Sequence, residues 1–301
     1  MSRIPEPVQT PEGPMYEGRM LDRVDEEVVD QGAAFDIRTL VTRRGVLSLA
    51  GLGVGAVVLA ACTPATSAPA TGGGDAATSG ADSTSGMENT AAGEIPQETA
   101  GPYPGDGSNG PDILERSGIV RADITTSIDG SATADGIPLK LELLVRDLAN
   151  GGVPLAGVAV YAWHCTARGE YSMYSSGLED VTYLRGVQVS DAEGRVAFSS
   201  IFPGCYAGRW PHVHFEVYPD VEAITDSANA IVTSQLALPE DACAAVYADP
   251  RYEGSTRNLA QISLSSDNVF GEDSAALQLA TVMGDEGSGY TATLVVGVQG
   301  V

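Results

Sequence analysis

The chain has 301 residues, which is enough for one large domain or two small ones. Its 40 acidic side chains outnumber the 16 basic ones, and the formal net charge of −24 excludes nucleic acid or an anionic membrane surface as a partner. Aromatic residues make up only 6% of the chain, beside 36 glycines and 17 prolines, a composition typical of a turn-rich β protein.

The N-terminal part has the pattern of an export signal. Arg43 and Arg44 precede an apolar segment, 46–61, that is shorter than the about 20 residues of a bilayer span. The arginine pair resembles a twin-arginine signal, and Leu59-Ala60-Ala61-Cys62 resembles a bacterial lipobox. The resemblance implies an export signal over residues 1–61, lipidation of Cys62, and anchoring through that lipid to the outer face of the bacterial cytoplasmic membrane. An ordinary N-terminal membrane anchor is the alternative.

Residues 62–93 consist mostly of Ala, Thr, Ser, Gly and Pro with a few acids. Such a segment buries too little apolar surface to offset its ordering entropy, so it is predicted to be a flexible tether. A folded domain is then expected over residues 94–301.

Strand-like patterns recur through this domain. Residues 137–146 alternate apolar and polar side chains, and further strands are predicted at 158–163, 187–189, 195–201, through the histidines to 218, and at 290–298. A hairpin turn is predicted at 191–194, and a short helix at 239–247. Short strands with frequent turns predict an all-β sandwich with long loops and one or two short helices.

Two of the 3 histidines, His212 and His214, stand two residues apart in a predicted strand. Because side chains i and i+2 of a strand point to the same face, both imidazoles would project into one site. Tyr206 precedes them after a Pro-Gly turn, and Arg209 lies between. These residue types indicate a metal site, although the His-x-His spacing also occurs in sheets that bind nothing.

Several motifs occur in a familiar order along the domain: Glu98-Thr99-Ala100-Gly101-Pro102-Tyr103, Trp163-His164-Cys165, Gly169-x-Tyr171-Ser172, Leu184-Arg185-Gly186, Asp191-x-x-Gly194, Phe202-Pro203-Gly204-x-Tyr206 and Arg209-x-Pro211-His212-x-His214. Together they resemble the intradiol ring-cleavage dioxygenases, which include the catechol 1,2- and protocatechuate 3,4-dioxygenases. The resemblance extends from residue 94 to about residue 270.

The resemblance implies a prealbumin-like β-sandwich and a non-haem iron(III) centre with Tyr171, Tyr206, His212 and His214 as ligands. Phenolate is a hard oxygen donor that suits this hard ion, and imidazole is an acceptable nitrogen partner. It also implies a catechol and O₂ as substrates, with ring cleavage between the two hydroxylated carbons to a muconate-type diacid. The residues that precede the histidines, including the small Ala207 and Gly208, leave the identity of the catechol and the need for a ring carboxylate open.

The resemblance gives roles to other residues as well. Tyr206 is expected to act in catalysis as a proton acceptor, and Arg209 to bind substrate and stabilise negative charge on it. Tyr103 is expected to line the substrate pocket. The alternatives are a surface ion pair for Arg209 and a packing role for Tyr103. His164 is more typical of a pocket or core histidine than of a fifth ligand.

Two other functions stay open. An extracytoplasmic β-sandwich that binds a partner or serves a structural role would keep the fold without dioxygenase turnover. A zinc- or copper-dependent hydrolase or oxidase would use the two histidines but leave the tyrosines without a role. The cysteines Cys165, Cys205 and Cys243 are an odd number for an oxidising compartment, and we hypothesise a Cys205–Cys243 bridge that would pin the loop of Tyr206.

Overall fold

The computed structural model describes residues 91–300 and, in the N-terminal part, three short strands. These are β1 (Val8–Thr10), β2 (Gly13–Tyr16) and β3 (Arg19–Met20), and the antiparallel pairs are β1–β2 and β2–β3. Apart from these strands, the predicted export signal lies outside the described residues, as do Cys62 and most of the predicted tether. Those assignments therefore stay predictions.

Residues 91–300 form an all-β sandwich of two sheets, as the sequence predicted. The strands are β4 (Pro138–Asp147), β5 (Val153–Pro154), β6 (Ala159–Trp163), β7 (Arg185–Val189), β8 (Arg195–Ile201), β9 (His212–Tyr218), β10 (Val232–Ala237), β11 (Thr281–Asp285) and β12 (Gly289–Val298). One sheet has the antiparallel order β10-β9-β6-β7. The other is built on β4, which pairs in parallel with β12 and antiparallel with β8.

Helices are short and lie outside the sheets. They are α1 (Glu240–Val246), α2 (Ser255–Leu259) and 3-10 helices at Ala223–Thr225, Ser227–Asn229, Pro250–Tyr252, Leu264–Ser266 and Phe270–Glu272. Pro239 caps α1 and acids fill its first turn, which agrees with the predicted helix start. Among the residues described, no helix has the length and apolar character needed to cross a membrane.

The main core lies between the sheets and follows from the alternation in β4. Leu139, Leu141 and Leu143 point inward and are buried, and they belong to the same apolar cluster as Phe198 of β8 and Phe215 of β9. A second cluster covers the outer face of the β6–β9 sheet. It contains Ile113, Leu114 and Ile119 from the loops before β4, and Tyr171, Met173 and Tyr174 from the loop after β6. The outer face of β9 is therefore buried as well.

The predicted strands match the observed ones closely at β4, β6, β8, β9 and β12 and cover part of β7, whereas β5, β10 and β11 were not predicted. The turn at 191–194 is present, because Gly194 donates its backbone N–H to Asp191 and Asp191 to Arg195. However, it does not close a hairpin: β7 pairs with β6 in one sheet, and β8 pairs with β4 in the other. The buried side chains Val196 and Phe198 face the core from the second sheet, so the turn connects the two layers.

The segment before β4 is fastened along the sheet edges. The backbone N–H of Ile95 bonds to Gly297 and that of Glu98 to Thr233. The Glu98 carboxylate lies 3.4 Å from the side-chain amide nitrogen of Gln278. Burial raises the pKa of Glu98 from its usual 4.5 to about 7.

Replacing Leu141 by alanine tests the core. Leu141 is 1% exposed, so Leu141→Ala should lower the free energy of unfolding by about 2–5 kcal/mol. Met283 is 66% exposed on β11, and Met283→Ala should change that free energy by less than about 0.5 kcal/mol. Urea unfolding followed by fluorescence measures both, and equal effects of the two substitutions would contradict this assignment of the core.

Replacing Glu98 by glutamine tests its burial. The folded state holds the Glu98 proton more tightly than the unfolded state, so this residue lowers stability as pH rises from about 4.5 to about 7. The stability of Glu98→Gln relative to the native protein should therefore increase across that range and level off above it. Glu94 is exposed, and Glu94→Gln serves as the control. A difference for Glu98→Gln that is the same at pH 5 and pH 8 would refute the prediction.

Candidate metal centre

Strand β9 carries both histidines on the face that looks away from the main core. The alternate residues Val213, Phe215 and Val217 fill the core, so His212 and His214 project together from the opposite face. Both side chains are buried, and their Nε2 atoms lie 3.1 Å apart. The strand period alone thus brings two nitrogen donors to one point.

The two tyrosines reach this point from separate loops. Tyr171 lies between β6 and β7, and its hydroxyl oxygen is 3.3 Å from Nε2 of His214. Tyr206 lies between β8 and β9, and its hydroxyl oxygen is 3.3 Å from Nε2 of His212. All four predicted ligands therefore converge, and we call these four residues the donor cluster.

Two glycines let the tyrosine loops pack against each other. Gly204 donates its N–H to the carbonyl of Thr166, and a Cβ at this position would overlap the carbonyl of Ala167. Gly169 has φ +84°, and a Cβ there would lie 2.8 Å from Cβ of Tyr206. Larger residues at either glycine would push the loops apart, and the spacing of the two phenols depends on this close backbone contact.

The distances within the donor cluster fit a shared metal ion. Two ligand atoms about 2.0–2.2 Å from one ion lie about 3.0–3.4 Å apart at ordinary coordination angles. Nδ1 of His212 donates to the carbonyl of Trp210, so its Nε2 presents a lone pair to the cluster. The described ranges contain no group of three or more His, Cys, Asp or Glu side chains that could hold a metal. A metal ion in the donor cluster would therefore take two of its four ligands from tyrosine.

His214 gives a second indication that the cluster fits a cation. Its ring stacks on that of Trp163, with the ring centres 4.9 Å apart and an angle of 8° between the ring planes. Its buried Nδ1 has no hydrogen-bond partner within residues 91–300. A proton on Nδ1 would leave two lone pairs facing each other across the 3.1 Å between the Nε2 atoms. A cation bound by both nitrogens removes that repulsion.

Without a bound cation, burial favours the neutral form of all four donor side chains. It lowers the pKa of His212 to about 3 and that of His214 well below the usual value. It raises the pKa of Tyr206 to about 12, although Arg209 acts in the opposite direction, and it raises that of Tyr171 well above 10. A bound cation reverses this preference for the tyrosines, because it stabilises the phenolate.

Arg209 is buried beside the cluster and is not the surface residue of the alternative hypothesis. Its Nε donates to Asp267 at 3.0 Å, and its Nη2 donates to the side-chain oxygen of Gln235 at 2.6 Å. Its Nη1 lies 3.5 Å from Nε2 of His212. Burial alone would raise the pKa of Asp267, but Arg209 and backbone N–H groups lower it, so this pair is ionised.

The other predicted residues lie close by. The ring of Tyr103 is centred 4.8 Å from that of Tyr171, so it borders the cluster, and its role in substrate binding stays a prediction. His164 is buried, with Nδ1 at 2.7 Å from the carbonyl of Cys165 and Nε2 at 2.6 Å from the hydroxyl of Ser200. Both ring nitrogens are therefore engaged, which leaves no fifth ligand there.

The hypothesised bridge between Cys205 and Cys243 is not present. Both residues and Cys165 are buried free thiols. Cys205 donates to the carbonyl of Arg209 at 3.5 Å, and Cys243 packs into the main core from α1. Burial raises the pKa of Cys205 to about 12, so the thiol form is favoured. Packing and hydrogen bonds, rather than a crosslink, hold the loop of Tyr206.

Two residues of the site were not predicted from the sequence. Gln235 lies on β10 directly opposite His214 in the strand pairing, and a strand prediction at 232–237 would have located it. Asp267 lies in the irregular segment after α2, where a Ser-Ser-Asp-Asn run has no feature that distinguishes it from an ordinary turn.

A groove of about 790 Å³ lies elsewhere, and none of the four donors lines it.

Comparisons with known proteins find similarity over the part of the chain that forms this site. Residues 109–243 match a family model described as dioxygenase. The chain is 30% identical over 138 residues to the protocatechuate 3,4-dioxygenase beta chain of Burkholderia cepacia, covering 42% of this chain and 55% of that protein. It is 40% identical over 62 residues to a chlorocatechol 1,2-dioxygenase of Rhodococcus opacus, covering 21% and 23%. The chain thus spans about half the length of the first relative and about a quarter of the second.

A solved structure is similar in fold. The intradiol ring-cleavage dioxygenase of Tetranychus urticae superposes with a TM-score of 0.52 at 22% identity, covering 68% of this chain and 94% of that one. At this identity the likeness concerns the fold alone. The stretch that matches the family model includes all four residues of the donor cluster, so the chain is similar to dioxygenases over the segment that forms this site.

Proposed function

We propose that the protein is an iron(III)-dependent intradiol dioxygenase that uses O₂ to cleave a catechol-type ring between its two hydroxylated carbons. The observation that supports this most directly is the convergence of two phenol oxygens and two imidazole nitrogens at 3.1 to 3.3 Å, beside a buried guanidinium. A zinc hydrolase would need only the histidines, whereas this geometry also involves both tyrosines.

Tyr171, Tyr206, His212 and His214 would hold the metal. Bound iron(III) would supply Lewis acidity that favours loss of both catechol protons, and the resulting catecholate would be electron-rich enough to react with O₂. The two phenolates would offset much of the charge of the ion, and the hydrogen bond from His212 to Trp210 would fix the ring that faces it.

The residues around the metal would orient the ring and handle its protons. Tyr206 is more exposed than Tyr171, so its phenolate oxygen is the group that an incoming catechol hydroxyl would reach and protonate. Nη1 of Arg209 would stabilise negative charge that develops on the ring as oxygen adds. Tyr103, whose ring packs against that of Tyr171, would form one wall of the pocket.

The test is the colour and activity of the iron-loaded protein. A tyrosinate-to-iron absorption band should appear in the visible range and change when catechol is added. Tyr206→Phe should lower kcat for O₂ uptake with catechol at least about 100-fold, because it removes a ligand and proton acceptor. The double variant Tyr171→Phe, Tyr206→Phe should be colourless.

Tyr290→Phe is the matched control, since Tyr290 lies on β12 in the other sheet. It should keep the colour and the rate. A native protein that stays colourless with iron, or that binds zinc and consumes no O₂, would refute the dioxygenase and favour a binding or structural β-sandwich.

We also propose, from the sequence alone, that the protein is exported and held at the outer face of the cytoplasmic membrane by a lipid on Cys62. Cys62→Ser should move the protein from the membrane fraction to the soluble fraction, and the native protein should carry a diacylglycerol mass on its N-terminal peptide. An unmodified peptide from the native protein would contradict this.

A further inference from the structure

Arg209 has five N–H donors, and their partners divide the guanidinium into two sides. Nε and Nη2 face Asp267 and Gln235, with Nε at 3.0 Å from one carboxylate oxygen of Asp267 and Nη2 at 3.5 Å from the other. Nη1 faces His212 of the donor cluster. The Nε and Nη2 edge, a fork that could hold a carboxylate with two parallel hydrogen bonds, is therefore already occupied.

Asp267 is held firmly enough to impose this orientation. Its side chain is fully buried and accepts backbone N–H groups from Trp210 at 2.7 Å, Val269 at 2.8 Å and Phe270 at 3.1 Å. The Phe270 ring lies beneath the guanidinium, 5.8 Å from Cζ of Arg209. The carboxylate thus has a fixed position that does not depend on Arg209, and the arginine must adapt to it.

The pair also cancels charge where substrate would bind. The buried cation of Arg209 is matched by one buried carboxylate, so this pair adds little net positive charge that could attract an anion. The second buried arginine of this region, Arg185, has no donor left for an anionic substituent, because all its N–H donors bond to neutral oxygens. Its partners are Tyr103, Pro104, Tyr161 and Ser172.

We propose that Asp267 is a positioning and specificity-determining residue: it orients and neutralises Arg209, so that the site takes catechols whose ring carries no anionic substituent. The proposal rests on the proposed function. Gln235 assists by fixing Nη2, and it is itself held by a hydrogen bond to the carbonyl of Thr99. A ring carboxylate would have to enter a buried site whose arginine fork is filled, at the cost of its hydration.

The experiment measures binding and turnover of two probes, catechol and 3,4-dihydroxybenzoate, by the iron-loaded full chain. Dissociation constants are measured by calorimetry without O₂, and kcat/KM by O₂ uptake. The native protein should bind catechol at least about tenfold more tightly than 3,4-dihydroxybenzoate. Asp267→Asn weakens the hold on Nε of Arg209 and leaves the charge of the guanidinium unmatched. The ratio of the dissociation constants of the two probes should therefore shift about tenfold in favour of 3,4-dihydroxybenzoate.

Gln235→Glu provides the opposite change. It places a second carboxylate against Nη2 of Arg209, so the ratio should shift further toward catechol. Asp273→Asn removes a charge of the same kind from an exposed position of the same segment and should leave the ratio unchanged. Thermal unfolding checks that the variants fold, and if Asp267→Asn does not, Gln235→Glu decides the matter.

The outcomes separate this proposal from the proposed function. A native protein that cleaves catechol but prefers 3,4-dihydroxybenzoate overturns the role of Asp267 and leaves the dioxygenase intact. So does an Asp267→Asn variant that weakens both probes equally, because a purely structural residue would do that. If the native protein binds and cleaves neither probe, both proposals fail together.

Discussion

The alternation of side chains along β9 is the constraint on which the site depends. One set of residues must stay apolar to fill the space between the sheets, and the strand period then fixes where the histidines point. A slip of one residue in the pairing of β9 with β6 or β10 would exchange the two faces. The register of β9 therefore determines both the packing of the core and the placement of the two nitrogen donors.

Other residues of the site come from loops rather than from strands. The loop after β6 brings Tyr171, the loop before β9 brings Tyr206, and the segment after α2 brings Asp267. Each is fixed by buried polar contacts that would be costly if left unmade, as with the carboxylate of Asp267 and its backbone donors. The sandwich supplies a rigid face, and chemical identity comes from what the loops place on it.

Much of this could be predicted from the sequence because it depends on local spacing. The period of β4, the i and i+2 relation of His212 and His214, and the cap of α1 need only neighbouring residues. The partnership of Arg209 with Asp267 spans 58 positions, and it depends on the path of an irregular segment that no periodicity describes. The proposed Cys205–Cys243 bridge was wrong for a related reason: parity and compartment suggested it, but they carry no information about where a buried thiol packs. The turn at 191–194 was located correctly, yet its residues do not reveal that the chain changes sheets there.

The contact of Gly204 and Gly169 with the opposing loop has a consequence for how this site can vary. Because there is no room for a Cβ at either glycine, these two positions fix how closely the backbones of the two tyrosine loops approach each other. Substitutions in the surrounding side chains can reshape the walls of the site while the spacing of the two loop backbones stays constant. A lineage built on this scaffold can therefore vary the surroundings of the four donors without moving the loops that carry the two tyrosines.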